Sequence, residues 1–142
     1  MPIRHLEPTQ DAGRRFLMRA VADAPVAMLN LLRFRDVADY AQSPELAPAA
    51  PISGAEAYAR YVAHTRPHLE ASGGEIVFLG EGGALLIGPA DERWDLVMIV
   101  RHRSPSTFVA FASNAAYLAG MGHRVAAVED SRLLPIVVTL TP

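Results

Sequence analysis

Two apolar runs of strand length dominate the pattern of this chain, and they end alike. Val26-Ala27-Met28-Leu29-Asn30-Leu31-Leu32 closes on Arg33-Phe34-Arg35, and Trp94-Asp95-Leu96-Val97-Met98-Ile99-Val100 closes on Arg101-His102-Arg103. Short apolar runs bounded by breakers predict strands, here the two strongest of the chain. Tyr58, Tyr61, Val62, Thr65 and Leu69 recur at helical spacing. They predict a helix opened by Ser53 or Gly54, stopped by Gly73-Gly74, and kinked or shortened by Pro67. Ser104-Pro105-Ser106 opens a second helix with Phe108, Phe111, Ala112, Ala115 and Leu118 on its buried stripe. Gly120-Met121-Gly122 interrupts it, and His123 to Val128 adds a short turn.

The remaining elements are weaker. Residues 9–23 read as a capped helix with Phe16, Leu17, Ala20 and Val21 facing inward. Asp36 to Ser53 holds Pro44, Pro48 and Pro51, which makes it a long connection, either a lid or a passive insertion. Glu75–Leu79 and Ala84–Ile87 flank Gly80-Glu81-Gly82-Gly83, as a tight hairpin or as one strand broken by a bulge. Leu133–Leu140 is the last strand, and Pro135 places it at an edge.

This order predicts an α+β fold, a ferredoxin-like βαββαβ sandwich with an added N-terminal helix and both main helices on one face of the sheet. With the first and third strands taken as a parallel central pair, Arg33, Arg35, Arg101 and Arg103 gather at one end. Both helix N-termini lie beside them, and the four form a rim for a small anion or else pair with nearby acids. Alternation puts Leu29, Leu31, Val97 and Ile99 toward the helices. It leaves Met28, Asn30, Trp94, Met98 and His102 on the open face. An apolar open face predicts a homodimer whose facing sheets enclose a cavity lined by Asn30, Trp94 and His102.

Composition narrows the chemistry. The 142 residues fit one domain spanning the chain, with its core at residues 25–140, and 51% apolar content argues for a packed globule. Without Cys there is no disulfide and no thiolate nucleophile. Every cationic side chain is Arg, so Schiff-base chemistry and a Walker-type phosphate loop are excluded. A net charge of −2 gives no pull toward nucleic acid or an anionic membrane. The pattern shows no signal peptide or membrane span, so a soluble cytoplasmic protein is the expectation.

The densest titratable cluster is His123-Arg124 with Glu129-Asp130. Here His123 is the candidate proton acceptor, oriented by Asp130, with Arg124, Arg33 and Asn30 positioning a substrate. Trp94, Arg101, His102 and Tyr117 are further candidates for its binding. His64 and His68 share a helix face at i, i+4, but no third ligand accompanies them and no metal is assigned.

The segments Met28-Leu29-Asn30-Leu31-Leu32-Arg33-Phe34-Arg35, Gly82-Gly83 before Leu85-Leu86-Ile87-Gly88, and Trp94-Asp95 belong together. So do Ser104-Pro105-Ser106 and Tyr117 followed by His123-Arg124-Val125-Ala126-Ala127. Through them the chain resembles the dimeric α/β-barrel superfamily, and within it the uncharacterised domain-of-unknown-function 1330 family. The family pattern has Asn-Pro before the Tyr, where this chain has Asn114-Ala115-Ala116-Tyr117. The resemblance implies a ferredoxin-like fold, a homodimer with facing sheets and the broken strand at Gly82-Gly83. Relatives elsewhere in that superfamily include cofactor-independent monooxygenases, isomerases and haem-binding enzymes, so the fold leaves the reaction open. The expectation is a homodimeric small-molecule-binding protein. It is either a cofactor-independent enzyme on a small anionic or oxygenated compound or a non-catalytic sensing or dimerisation module. Haem held by His102 or His123 is the minor alternative.

Overall fold

The computed structural model describes residues 3–19 and 24–138. Its elements run α1 (Gln10–Arg19), β1 (Val26–Phe34), α2 (Gly54–Ala71), β2 (Glu75–Ala84), β3 (Arg93–His102), α3 (Pro105–Ala112), α4 (Ala115–Leu118), α5 (Met121–Ala127) and β4 (Val128–Val137). The sheet order is β2-β3-β1-β4, and every neighbouring pair is antiparallel. That is the ferredoxin-like topology. No helix among the described residues is long and apolar enough to cross a membrane.

Local chemistry sets the element ends. Ser53 caps α2, its Oγ accepting from the Glu56 N–H at 3.1 Å. Gly73, at φ +86°, ends the same helix in the left-handed conformation. Pro67 does not shorten α2, which continues to Ala71. Ser104 caps α3 and Asn114 caps α4, Asn114 Oδ1 accepting from Ala116 and Tyr117 N–H. The bulge in β2 falls at Val77, where the register shifts between Ile76 and Phe78. The strand then runs unbroken through the glycines, and residues 85–87 are not a second strand. β4 starts at Val128, ahead of its expected start at Leu133, and is an edge strand holding Pro135. In α1, Phe16 packs on the core while Leu17 is exposed; Ala20 and Val21 lie outside the described residues.

The central pair corrects the sequence reading. β1 and β3 are antiparallel, with Val26 opposite His102 and Leu32 opposite Leu96. The α2 crossover makes β2 run parallel to β1, and the short β2–β3 turn reverses the chain again. Arg33 and Arg35 therefore stand at one end of the sheet and Arg101 and Arg103 at the other. The helix N-termini separate with them. Gly54 N–H of α2 binds Arg35 O, while α3 starts just after His102 and Arg103. No four-arginine rim forms.

The two faces are also exchanged. Met28, Leu32, Met98 and Val100 face the helices and pack with Tyr58, Tyr61, Leu69, Tyr117 and Ala126. The open face carries the cross-strand row Phe78, Ile99, Leu29, Leu134 and the row Gly80, Val97, Leu31, Arg132. Arginines share parity with the open face, where guanidinium groups keep their water. The Pro-rich segment is an ordered roof. Ala38 N–H binds Ile52 O, Asp39 N–H binds Ala126 O, Tyr40 is buried, and Leu46 packs on the core.

Candidate functional site

Between sheet and helices an unbroken line of rings connects the two ends of β1. His102 meets Phe111 at 5.5 Å, Phe111 meets Tyr117 at 4.4 Å, and Tyr117 meets Tyr61 at 6.2 Å. Tyr61 meets Tyr58 at 5.2 Å, and Tyr58 meets Phe34 at 5.2 Å. α2 supplies its tyrosines one turn apart, and Thr65 follows one turn after Tyr61. The Tyr61 and Tyr117 hydroxyls bond each other at 2.7 Å, and Tyr117 Oη donates to Met121 Sδ at 3.9 Å. Burial, then the adjacent Tyr61, raises the Tyr117 phenol far above its usual range; burial does the same for Tyr58. Both stay protonated.

Two polar atoms in this layer have no partner, His102 Nδ1 and Thr65 Oγ1. His102 is 2% exposed, with Phe108 edge-on at 5.0 Å. Burial pushes its pKa down to about 4, so the ring is neutral at physiological pH. Asn30 also faces the helices, its amide donating to Met28 O at 3.2 Å and Met98 O at 3.4 Å.

A concavity opens beside these groups. It is a groove of about 530 Å³ between the C-terminal half of α2 and the start of α3, lined by His68, Ala71, Ser72, Ser106, Thr107, Ala110, Phe111 and Asn114. Phe111 is its floor and also touches His102 and Tyr117. A volume of this size suits a small organic molecule, with hydroxyl, amide and imidazole groups around an apolar base.

The residues proposed from sequence fall in four places. Asn30, His102 and Tyr117 lie in the layer behind the groove. His123 lies on α5, half-buried, its Nδ1 2.8 Å from Tyr40 Oη. Its pKa is held below the ordinary range by burial first, then by Arg60 and His64. Asp130 does not orient it. The carboxylate accepts from His5 N–H at 2.7 Å, Ser131 N–H at 2.9 Å and Arg132 Nη1 at 2.9 Å. Burial alone would raise the Asp130 pKa, but these bonds outweigh it and hold it low. Arg124 anchors the N-terminal arm, donating to Leu6 O at 3.2 Å and Ser131 Oγ at 3.4 Å. The fourth group surrounds the open face. Arg33 Nε lies 3.2 Å from Glu129 in an ion pair whose angle misses hydrogen-bond geometry, and Arg101 pairs with Glu75 at 3.2 Å. Trp94 is outside the helix-side core, beneath the Arg132 guanidinium at 4.9 Å, with its N–H on Glu92.

Tyr61 and Thr65 read in the sequence as packing positions, although hydroxyls on a buried stripe were a signal. Tyr40 carried none, because nothing local shows that a proline-rich loop returns over α5. Phe108 and Phe111 enclose the His102 ring, while His123 is engaged at Nδ1 by Tyr40. Among the described residues no three His, Asp or Glu side chains converge as metal ligands.

No protein-family model matches the chain, so its likeness to the domain-of-unknown-function 1330 family rests on the quoted motifs alone. No curated protein matches it either. Among solved structures, a dimeric ferredoxin-like protein of unknown function from Bacteroides fragilis aligns with a TM-score of 0.42 at 13% identity. It covers 80% of this chain and 96% of its own, and is too distant to bear on assembly here. The RPA0582 protein of Rhodopseudomonas palustris, whose function is unknown, is 37% identical, with a TM-score of 0.84 over 99% of this chain and 100% of its own. Its methylated form gives 0.83 over 98% and 97%. The chain belongs to the family of the RPA0582 protein.

Proposed function

We propose that this chain is a homodimeric small-molecule-binding protein that takes a small oxygenated organic compound into the groove over Phe111. The observation that carries this reading is the double role of Phe111. It floors a groove of about 530 Å³ and packs against a buried imidazole whose Nδ1 has no partner. Most buried polar groups in folded proteins are hydrogen-bonded, so an unpaired one beside a cavity marks a place where a ligand adds a bond. His102 accepts at Nδ1 if its proton sits on Nε2, so the ligand is a donor, a phenol or alcohol, once the Phe111 ring turns aside. A ring with a pKa of about 4 is a weak base at neutral pH, which favours binding over proton abstraction.

The homodimer belongs to the same reading. Phe78 and Leu134 are 52% and 54% exposed at the ends of an apolar row that crosses all four strands. Around it four arginines meet four carboxylates within the protomer: Arg33–Glu129, Arg93–Asp95, Arg101–Glu75 and Arg132–Asp130. An apolar centre with a charge-balanced rim complements a second copy of itself and offers nothing to a polyanion.

A thermal-shift screen of phenols, alcohols and carboxylates on the intact protein tests the groove. Phenols or alcohols should stabilise it, and Asn114→Ala or Ser106→Ala/Thr107→Ala should weaken the response. Stabilisation by no such compound, or an equal response in the groove variants, removes the groove from consideration.

A further inference from the structure

We propose that Arg60, His64, His123 and the Tyr40 hydroxyl form a second site, specific for a small oxyanion, beneath the roof made by residues 36–53. It is independent of the groove. Arg60, His64 and His68 stand at i, i+4 and i+8 on α2, and the His64 and His68 rings are 5.2 Å apart. Two glycines let α5 press into this surface. A Cβ on Gly120 would lie 2.1 Å from the His64 ring, and one on Gly122 would lie 2.4 Å from Ser43 Oγ in the roof. His123 is thereby brought between α2 and the roof, edge-on to Tyr40 with ring centroids 5.6 Å apart.

The charges around His123 are unbalanced. From α2, the charges of Arg60 and His64 disfavour its protonation. From the roof it meets Tyr40, whose neighbour Asp39 is turned to the Ala41 N–H. On its own helix Arg124 is turned to Leu6 and Ser131. Among the described residues no carboxylate pairs with Arg60, whereas Arg66, one turn and a half further along α2, holds Glu70 at 3.2 Å. A guanidinium without a counter-ion favours an anion, and its planar donor fork suits an oxyanion.

The hydrogen-bond directions provide the coupling. His64 Nε2 lies 2.8 Å from Ala116 O and must donate to it, so Nδ1 donates to an anion only as the imidazolium. With the proton of the neutral His123 ring on Nε2 in the anion-free protein, Nδ1 accepts from Tyr40, whose pKa burial raises. An oxyanion favours the imidazolium. Nδ1–H then donates to Tyr40 Oη, and the phenolic hydrogen turns toward the anion. Binding therefore takes up a proton and strengthens on acidification.

Sulfate is the probe, because its charge stays constant across the range where histidine titrates. Isothermal titration should show sulfate binding about tenfold tighter near pH ~5.5 than near pH ~8. Saturating sulfate should shift the His123 ring-proton titration upward in NMR spectra. Arg60→Gln should abolish binding while leaving the thermal midpoint without sulfate unchanged. In His64→Gln/His123→Gln, which keeps donors at both positions, the pH dependence should vanish. The proposal is overturned by absence of sulfate binding, by undiminished binding in Arg60→Gln, or by an unaltered pH dependence in the double variant.

Discussion

His102→Phe should remove a block of acid sensitivity from this fold. The wild-type ring is buried, neutral and unpaired at Nδ1, with a folded pKa of about 4 against 6.5 for the ordinary residue. Between those values the unfolded chain binds a proton that the folded chain refuses, so stability rises with pH. The contribution is complete above 6.5 and is lost as pH falls toward 4. The full interval is worth at most about 3 kcal/mol, and by pH ~5 about 2 kcal/mol of it should be gone. Phenylalanine is close in volume and joins two phenylalanine neighbours, so its cost at neutral pH should stay within about 1 kcal/mol. Urea unfolding of both proteins at a series of pH values isolates the effect, because every other titrating group is common to the two. The stability difference should change by about 2 kcal/mol between pH ~8 and ~5, in favour of the variant at low pH. A difference independent of pH would refute the buried neutral imidazole, and with it the ring's role behind the groove.

Three further outcomes follow from other contacts. Gly54→Ala puts a Cβ 2.2 Å from Arg35 O and 2.8 Å from Ala127 O, backbone atoms tied into the β1–α2–α5 junction. It should cost about 3 kcal/mol in chemical denaturation, whereas Gly13→Ala, with nothing within 4 Å, should not destabilise. Tyr117→Phe strands the Tyr61 hydroxyl, and Tyr61→Phe leaves the Tyr117 hydroxyl only the long contact to Met121; each should cost about 1–2 kcal/mol and the double variant no more than either, which a double-mutant cycle reads directly. Leu29→Arg places a charge at the centre of the open apolar row and should convert the proposed dimer to a monomer in sedimentation equilibrium; a wild-type monomer would refute the dimer, and an undisturbed dimer would put the interface elsewhere.

The elements themselves were legible in the sequence because each is set by neighbours. Serines at 53 and 104, the α2 stripe ending at Leu69 and the glycine stop at Gly73 all act within a few residues. Pro67 misled for a related reason. The Pro rule prices one lost bond and one clash, while α2 here is held along its length by Tyr58, Tyr61, Thr65 and Leu69 against the sheet. The glycines at 80–83 misled in the opposite sense. They lie within a paired strand opposite Val97, Leu96 and Trp94, and a Cβ on Gly82 would strike Trp94 O. Close approach to a neighbouring strand, not a turn, explains at least that one. The roof, the Tyr40–His123 bond and the groove were invisible because each joins segments far apart in the chain.

The two Arg-x-Arg endings show how far sequence carries and where topology must take over. Each pair correctly marked the end of a central strand. Whether the pairs met depended on the sense of β3 relative to β1, and the connections decide it. A helical crossover returns the chain in the same direction, the short β2–β3 turn reverses it, and so β3 must oppose β1. The face had a local signal too. Arg33 and Arg101 share parity with Leu29 and Ile99, and a strand that buries its aliphatic side under helices would bury those guanidinium groups as well. Keeping the cations wet requires that Met28, Leu32, Met98 and Val100 turn inward, and they do. Asn30 and His102 go inward with them, which moves the candidate chemistry from a cavity between two sheets to the layer beneath α2 and α3. The arginines remain on the other side, paired with Glu129 and Glu75, where they border the surface proposed for a second copy of the chain.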